Sequence, residues 1–205
     1  MNQDKFEEYK RKRDFNKTSE PGDETVAFDW AEGRPIFVIQ KHDASNLHYD
    51  FRIEVDGVLK SWAVPKGPST DPSVKRLALP TEDHPLGYAD FEGVIPEGEY
   101  GGGTIMVWDR GTYRNLKEAD QEGGEPPSLA EQIDDGHVTI WLEGEKLTGG
   151  YAMIRTGKGD QPRWLLIKMD DDEADARRNP TSTEPNSVKS GRSLEEIQTT
   201  AEKGD

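Results

Sequence analysis

From His48 to Val55 the chain alternates without a break. Tyr49, Phe51, Ile53 and Val55 fall on one side, and His48, Asp50, Arg52 and Glu54 on the other. Successive side chains of extended backbone point to opposite faces, so this period of two describes a half-buried strand. Asp56-Gly57 follows at once, a strong two-residue hairpin signal, and Val58 to Val64 reads as the return strand, stopped by Pro65. Further short strands are expected at Ile36–Gln40, Thr104–Trp108, Thr112–Asn115, His137–Leu142, Gly149–Arg155 and Arg163–Met169. Turns at Asp109-Arg110-Gly111, Glu143–Lys146 and Gly157–Asp160 punctuate them. Helix is confined to a charged arm at 3–13, one or two turns begun by Ser128, and a weak helix capped by Ser193 with Glu196 three residues on. Many short strands, frequent turns and almost no helix give an all-β chain, an antiparallel sandwich or barrel.

The boundaries expected are an N-terminal arm and loop over 1–33, a β-domain over 34–170, and an acidic, polar, disordered tail over 171–205. Residues 65–103 read as functional loop, since their Gly, Pro and Asp are interleaved with aromatic and titratable groups. Gly98 to Gly103 precedes a strand, where no helix N-terminus could meet a phosphate, so a bend at a barrel corner is expected in place of a nucleotide-binding loop. The sequence has no cysteine, which excludes disulfides and thiolate ligands and leaves His, Asp and Glu to hold any metal. No apolar run approaches a membrane span and no signal-peptide core is seen, so a cytoplasmic protein is expected. The net charge of −15, concentrated beyond residue 114, argues against nonspecific nucleic-acid binding through bulk charge, though a local basic patch could serve.

The polar side of the first strand carries the chemistry. An imidazole, a carboxylate and a guanidinium succeed one another at about 7 Å, two residues of strand rise. Two imidazoles and a carboxylate, with His42 folded back as the third ligand, suit a divalent transition metal. Arg52 is placed to hold an anion beside it. Taken singly, each residue has a plainer reading. His48-x-Asp50 is an ion pair, Arg11-Lys12-Arg13 a solvated helix face, Lys66 a solubilising turn residue, Arg76 a partner of Asp71, His84 a loop cap, and His137 structural.

Longer ordered motifs weigh against those readings. They are Arg13-Asp14-Phe15 with Glu20-Pro21, Phe37 to Ala44, Leu47 to Arg52, Ser61 to Pro68, Glu82 to Tyr88, and Phe91 to Pro96. In these the chain resembles the 3′-phosphoesterase module of bacterial DNA ligase D and its stand-alone archaeal relatives. The resemblance implies a compact β-barrel that clears 3′-terminal blocks from DNA ends at a primer-template during double-strand-break repair and end joining. It implies a manganese-dependent phosphodiesterase on a terminal ribonucleotide and a phosphomonoesterase on the remaining 3′-phosphate, with Co, Zn or Cd as other metals for the site. It also implies His42, His48 and Asp50 as metal ligands, and Arg52 and His84 on the scissile phosphate with Tyr88 beside them. Lys66 and Arg76 would join the phosphate-binding group, and Arg13, Asp14, Glu20 and Glu82 would serve the diesterase step. A DNA ligase and polymerase of the same repair pathway would be partners.

The leaving oxygen needs a proton. His84, if protonated, could supply it, and Tyr88 suits less because its pKa lies near 10. Direct attack by water is expected, since no Ser- or Cys-based triad is evident. Two rivals stand beside this reading: a non-haem iron oxygenase triad, which would need a third downstream histidine, and a non-catalytic module that binds DNA ends or repair proteins.

Overall fold

The structure, a computed structural model, describes residues 4–117, 123–157 and 159–204. The hairpin at its centre forms where the alternation places it, with β1 (Ile36–Asp43), β2 (Leu47–Val55) and β3 (Val58–Val64) antiparallel in turn. Asp56 and Gly57 both adopt positive φ, 51° and 79°, the mirror-image turn whose twist matches the strands it joins. There follow β4 (Lys75–His84), β5 (Gly93–Ile95), β6 (Gly103–Asn115), β7 (His137–Gly144), β8 (Thr148–Thr156) and β9 (Arg163–Lys168). The sheet runs β1-β2-β3-β4-β9-β8-β7-β6 and closes by pairing β6 back onto β1, with β5 added at the start of β6. Closure leaves no free edge on the barrel.

Both faces of the central strands are used. Phe37, Ile39, Phe51, Trp62 and Trp108 fill the barrel, each contributing about 1.5–3 kcal/mol by leaving water. A second apolar layer lies outside the wall: Val38, Leu59 and Val107 face outward beneath Tyr9, Tyr88 and Phe91. Tyr9 comes from the arm helix α1 (Glu7–Arg11), and Tyr88 from a single 3-10 turn over Leu86–Asp90. The candidate site residues lie on this outer wall, in the gap the second layer leaves. Helix α2 (Leu129–Asp135), started by the Ser128–Glu131 capping box, packs Leu129 and Ile133 against the core near the β2–β3 turn.

Three expectations are corrected. Residues 65–103 are not loop throughout, because ten of them form β4. Its outward Leu77 and Leu79 are more than a third exposed, so the strand lacks the clean alternation that would reveal it, and Pro80 argued against it. Asp109-Arg110-Gly111 is not a turn. β6 runs straight through it with a bulge opposite Ile39 and Gln40, and Gly111 is required because any Cβ there would strike the carbonyl of Glu143. The tail is not disordered. Thr70 Oγ1 donates to the carbonyl of Asp175 at 2.8 Å, and Trp108 Nε1 donates to that of Glu184 at 2.8 Å. After the short helix α3 (Pro180–Thr183), helix α4 (Leu194–Glu202) uses the foreseen Ser193–Glu196 capping box and buries Ile197 in the core. Composition hides this because a few docked residues among many charged ones carry the attachment.

Trp30 is half-buried, stacked on Phe28 with Arg110 over its ring. The acidic, Gly- and Pro-rich stretch 116–127, which the sequence marks as an insertion between strands, and the turn expected at 157–160 lie partly outside the described residues, at 118–122 and 158. Among the described residues no helix is long and apolar enough to cross a membrane.

Candidate metal centre and phosphate pocket

His42 near the end of β1 pairs directly across from His48 near the start of β2, and Asp50 follows two residues on along the same face. One ligand atom from each lies within 4.8 Å of the others. His42 Nδ1 is 3.5 Å and His48 Nε2 3.4 Å from the same oxygen of Asp50, Oδ2. The far nitrogens are already engaged: His42 Nε2 lies 2.8 Å from the carbonyl of Gly101, and His48 Nδ1 3.0 Å from that of Asn46. A carbonyl can only accept, so those nitrogens carry the protons and the opposite ones present lone pairs toward Asp50. Two lone pairs and a carboxylate converging on one point repel each other unless a cation or proton stands between them. The separations also match the edge of about 3.4 Å spanned by ligands held at about 2.1 Å around a tetrahedral ion. The residues therefore fit a divalent transition metal.

The pKa directions follow. Burial alone would raise Asp50, but Arg52, and the two imidazoles when protonated on the nitrogens that face it, hold it well below the usual carboxylate range. Burial would lower His48, yet Asp50 raises it above its ordinary value. The loop carrying Gly101 can approach β1 because Gly103 has no side chain, since a Cβ there would strike the carbonyl of Asp43.

Beside this cluster sits a buried layer of two guanidiniums and the carboxylates that pair with them. Arg52, 3% exposed, reaches Asp50 Oδ2 at 3.4 Å through Nη2 and donates from Nε to Gln40 Oε1 at 2.8 Å. Gln40 in turn donates to the carbonyls of Tyr88 and Phe91, which ties the guanidinium to the 3-10 turn. Arg13, from the arm, donates to Glu20 at 2.9 Å and Glu82 at 3.2 Å. His84 lies between the two guanidiniums, its Nδ1 3.2 Å from Arg52 and its Nε2 3.3 Å from Arg13. Because Nδ1 is also 2.8 Å from the carbonyl of Glu82, the proton sits on Nδ1. Burial, then Arg52 and Arg13, push the His84 pKa well below its ordinary value, so the imidazole is neutral without an anion present. Tyr88 donates to Glu20 at 2.8 Å and is held protonated by burial and by that carboxylate. Ser61 Oγ is 3.5 Å from His84 Nδ1, but that nitrogen carries the proton and Ser61 donates to the carbonyl of Leu59, so it is no activated nucleophile.

Of the residues singled out from sequence, His42, His48, Asp50, Arg52, His84 and Tyr88 line one pocket together with Arg13 and Glu82. Glu20 stands behind that wall, buried against Arg13 and Tyr88. Three others lie outside the lining. Asp14 accepts from Asn16 and pairs with Lys17, Lys66 is exposed in the turn after β3, and Arg76 shares the inward parity of β4 with Ala78. Sequence reasoning missed Gln40, Tyr9, Thr81 and Tyr100, as well as the Gly101 carbonyl. Gln40 could have been found, since it sits two residues before His42 on the same strand face. Tyr9, Thr81 and Tyr100 carry no such signal.

The fold and the site together define a closed β-barrel whose outer wall bears a His-His-Asp cluster that could hold a metal ion, beside buried guanidiniums. Residues 40–155 match the family model of the DNA ligase D 3′-phosphoesterase domain. The chain belongs to that family. It is 50% identical over 190 residues to the multifunctional non-homologous end joining protein LigD of Pseudomonas aeruginosa, covering 91% of this chain and 21% of that protein. It is 46% identical over 166 residues to the LigD DNA repair protein of Mycobacterium tuberculosis, and 42% identical over 170 residues to LigD of Mycolicibacterium smegmatis. Those matches cover 81% and 82% of this chain, and 20% and 21% of the two proteins. The chain thus spans about a fifth of the length of these relatives.

Proposed function

We propose that the chain is a manganese-dependent 3′-end-processing phosphoesterase of double-strand-break repair. It would act in the cytoplasm on DNA or RNA-tipped DNA ends at a primer-template, upstream of a ligase and polymerase of the same pathway. The observation that carries this reading is the convergence of the His42 and His48 lone pairs and the Asp50 carboxylate on one point, with Arg52 3.4 Å from the same carboxylate oxygen.

His42, His48 and Asp50 would hold a divalent ion, which would supply Lewis-acid polarisation and an acidified water. Arg52 and Arg13 offset negative charge on the phosphoryl oxygens from inside a low-dielectric wall, where such contacts count for more than in water. A bound phosphate would also raise the His84 pKa, since its charge opposes the two guanidiniums that hold the free imidazole neutral. His84 thereby becomes a general acid once substrate is present. Lys66 and Asp14 would act from outside the pocket lining, on more distant parts of the polynucleotide, whereas Arg76, on the inward side of β4, would not reach it.

The test is a primer-template ending in one ribonucleotide, incubated with manganese or with chelator. Stepwise conversion to a 3′-phosphate and then a 3′-hydroxyl is expected only with metal, and inversion at a chiral phosphate is expected from direct attack by water. Retention would overturn the direct attack. His48→Ala separates the enzyme from a mere binding module: the enzyme loses turnover while end binding survives.

A further inference from the structure

The outer wall of the barrel is covered on one side of the pocket and bare on the other. Toward β1 and β6 the second apolar layer lies over the strands. Toward the glycine loop the flank carries Asp43, Glu97 and Glu99. Toward β4, β9 and β8 it is open, and continuous with the pocket, because Asp50 pairs with the pocket residue Ala63 and Ala63 pairs with Leu79. One row across this wall is Leu77, Leu165 and Ile154, and another is Lys75, Ile167 and Ala152. Leu77, Leu79 and Ile154 are 38%, 37% and 37% exposed. Although the chain has 41 acidic residues, no carboxylate occupies the outward positions of β4 from Lys75 to Leu79, of β9, or of β8 from Ala152 to Thr156. Lys75 on β4 and Arg163 on β9, both outward, form no ion pair among the described residues.

We propose that this bare wall of β4, β9 and β8 is the docking surface for the duplex stem of a nucleic acid whose 3′ end occupies the pocket. The inference rests on the function proposed above. Lys75 and Arg163 meet backbone phosphates, and Leu77, Leu79 and Ile154 pack against sugar edges. From β2 to β9 is three strand spacings, about 15 Å. At about 3.4 Å per nucleotide, that brings the fourth or fifth phosphate from the terminus over Arg163. A duplex is the occupant favoured over an acidic protein because the wall is continuous with the pocket, and a polynucleotide ending there must leave along one flank. The other flanks are filled or acidic.

The test is fluorescence anisotropy of a labelled DNA hairpin ending in a 3′-phosphate, in chelator so that no hydrolysis occurs. It compares wild type with the Lys75→Glu/Arg163→Glu double variant, at about 50 and 200 mM salt. Affinity is expected to fall at least about tenfold in the double variant, and the slope of log affinity on log salt to shrink by about 2. Arg11→Glu/Lys203→Glu, with the same change in net charge on other faces, is expected to bind like wild type. With manganese, phosphate release from a 3′-phosphorylated trinucleotide too short to have a stem should be equal in wild type and in Lys75→Glu/Arg163→Glu. Unchanged hairpin affinity in that variant, or an equal loss in the two double variants, would overturn the proposal. Failure of the wild type to release phosphate from any end would instead refute the phosphoesterase reading, while the anisotropy still decides the docking surface.

Discussion

Asp50 is the residue on which the site turns. One of its oxygens meets both imidazoles and Arg52, and the pull of these groups holds the carboxylate ionised. An ion bound there stabilises the native state by mass action, by about 2.7 kcal/mol at a hundredfold excess over its dissociation constant. Manganese is therefore expected to raise the melting temperature of wild type and not of Asp50→Asn; an equal shift in both would move the metal elsewhere. Gln40 is a positioning residue, fully buried, holding Arg52 with its oxygen and two carbonyls with its nitrogen. Gln40→Met should cost about 1–3 kcal/mol in urea unfolding, because three buried polar groups lose their partner. It should also raise KM for a 3′-phosphate end through the loosened guanidinium, a change that stability loss alone would not bring about.

Among the elements, β6 shows best how a local reading fails. Asp109 looks like the start of a turn, yet its carboxylate is buried and accepts from the backbone N–H groups of Arg110, Lys146 and Leu147. It pins the β7–β8 turn to the bulge of β6. Burial outweighs those bonds and raises its pKa to about 6, against about 3.8 in the unfolded chain. The folded state thus holds this proton more tightly, and the stabilisation it brings is complete below about pH 4 and gone above about pH 6. The effect is on the order of 2–3 kcal/mol. Urea midpoints of wild type and Asp109→Asn across that window should show the wild type losing more stability as pH rises; parallel curves would contradict the assignment. The β2–β3 hairpin is the opposite case. Its alternation and turn chemistry agree, so its register could be read directly from the sequence.

At the scale of the whole molecule, arm and tail are both packed onto the barrel. The arm brings Tyr9 and Arg13 over the wall, and the tail brings Ile197 into the core. Ile197→Ala should destabilise the entire fold by about 2–5 kcal/mol, seen as a single lowered transition. A separate transition for the tail alone would show that it docks loosely.

The sequence by itself determined the hairpin, the all-β character, the Ser128 cap and the Ser193–Glu196 capping box, and the face that carries His48, Asp50 and Arg52, because period-two alternation and turn chemistry are local properties of the chain. It also carried the family resemblance, through motifs that stay contiguous along the chain. Tertiary structure alone decided that β6 closes on β1, that the site lies on the outside of the barrel beneath a second apolar layer, and that Arg13 and His84 meet from positions 71 residues apart. It also decided which nitrogen of each imidazole faces Asp50, since that depends on carbonyls supplied by backbone folded in around them. The reason is common to all of these: burial and long-range hydrogen bonding are set by what packs opposite a residue, and no local pattern in the chain records that.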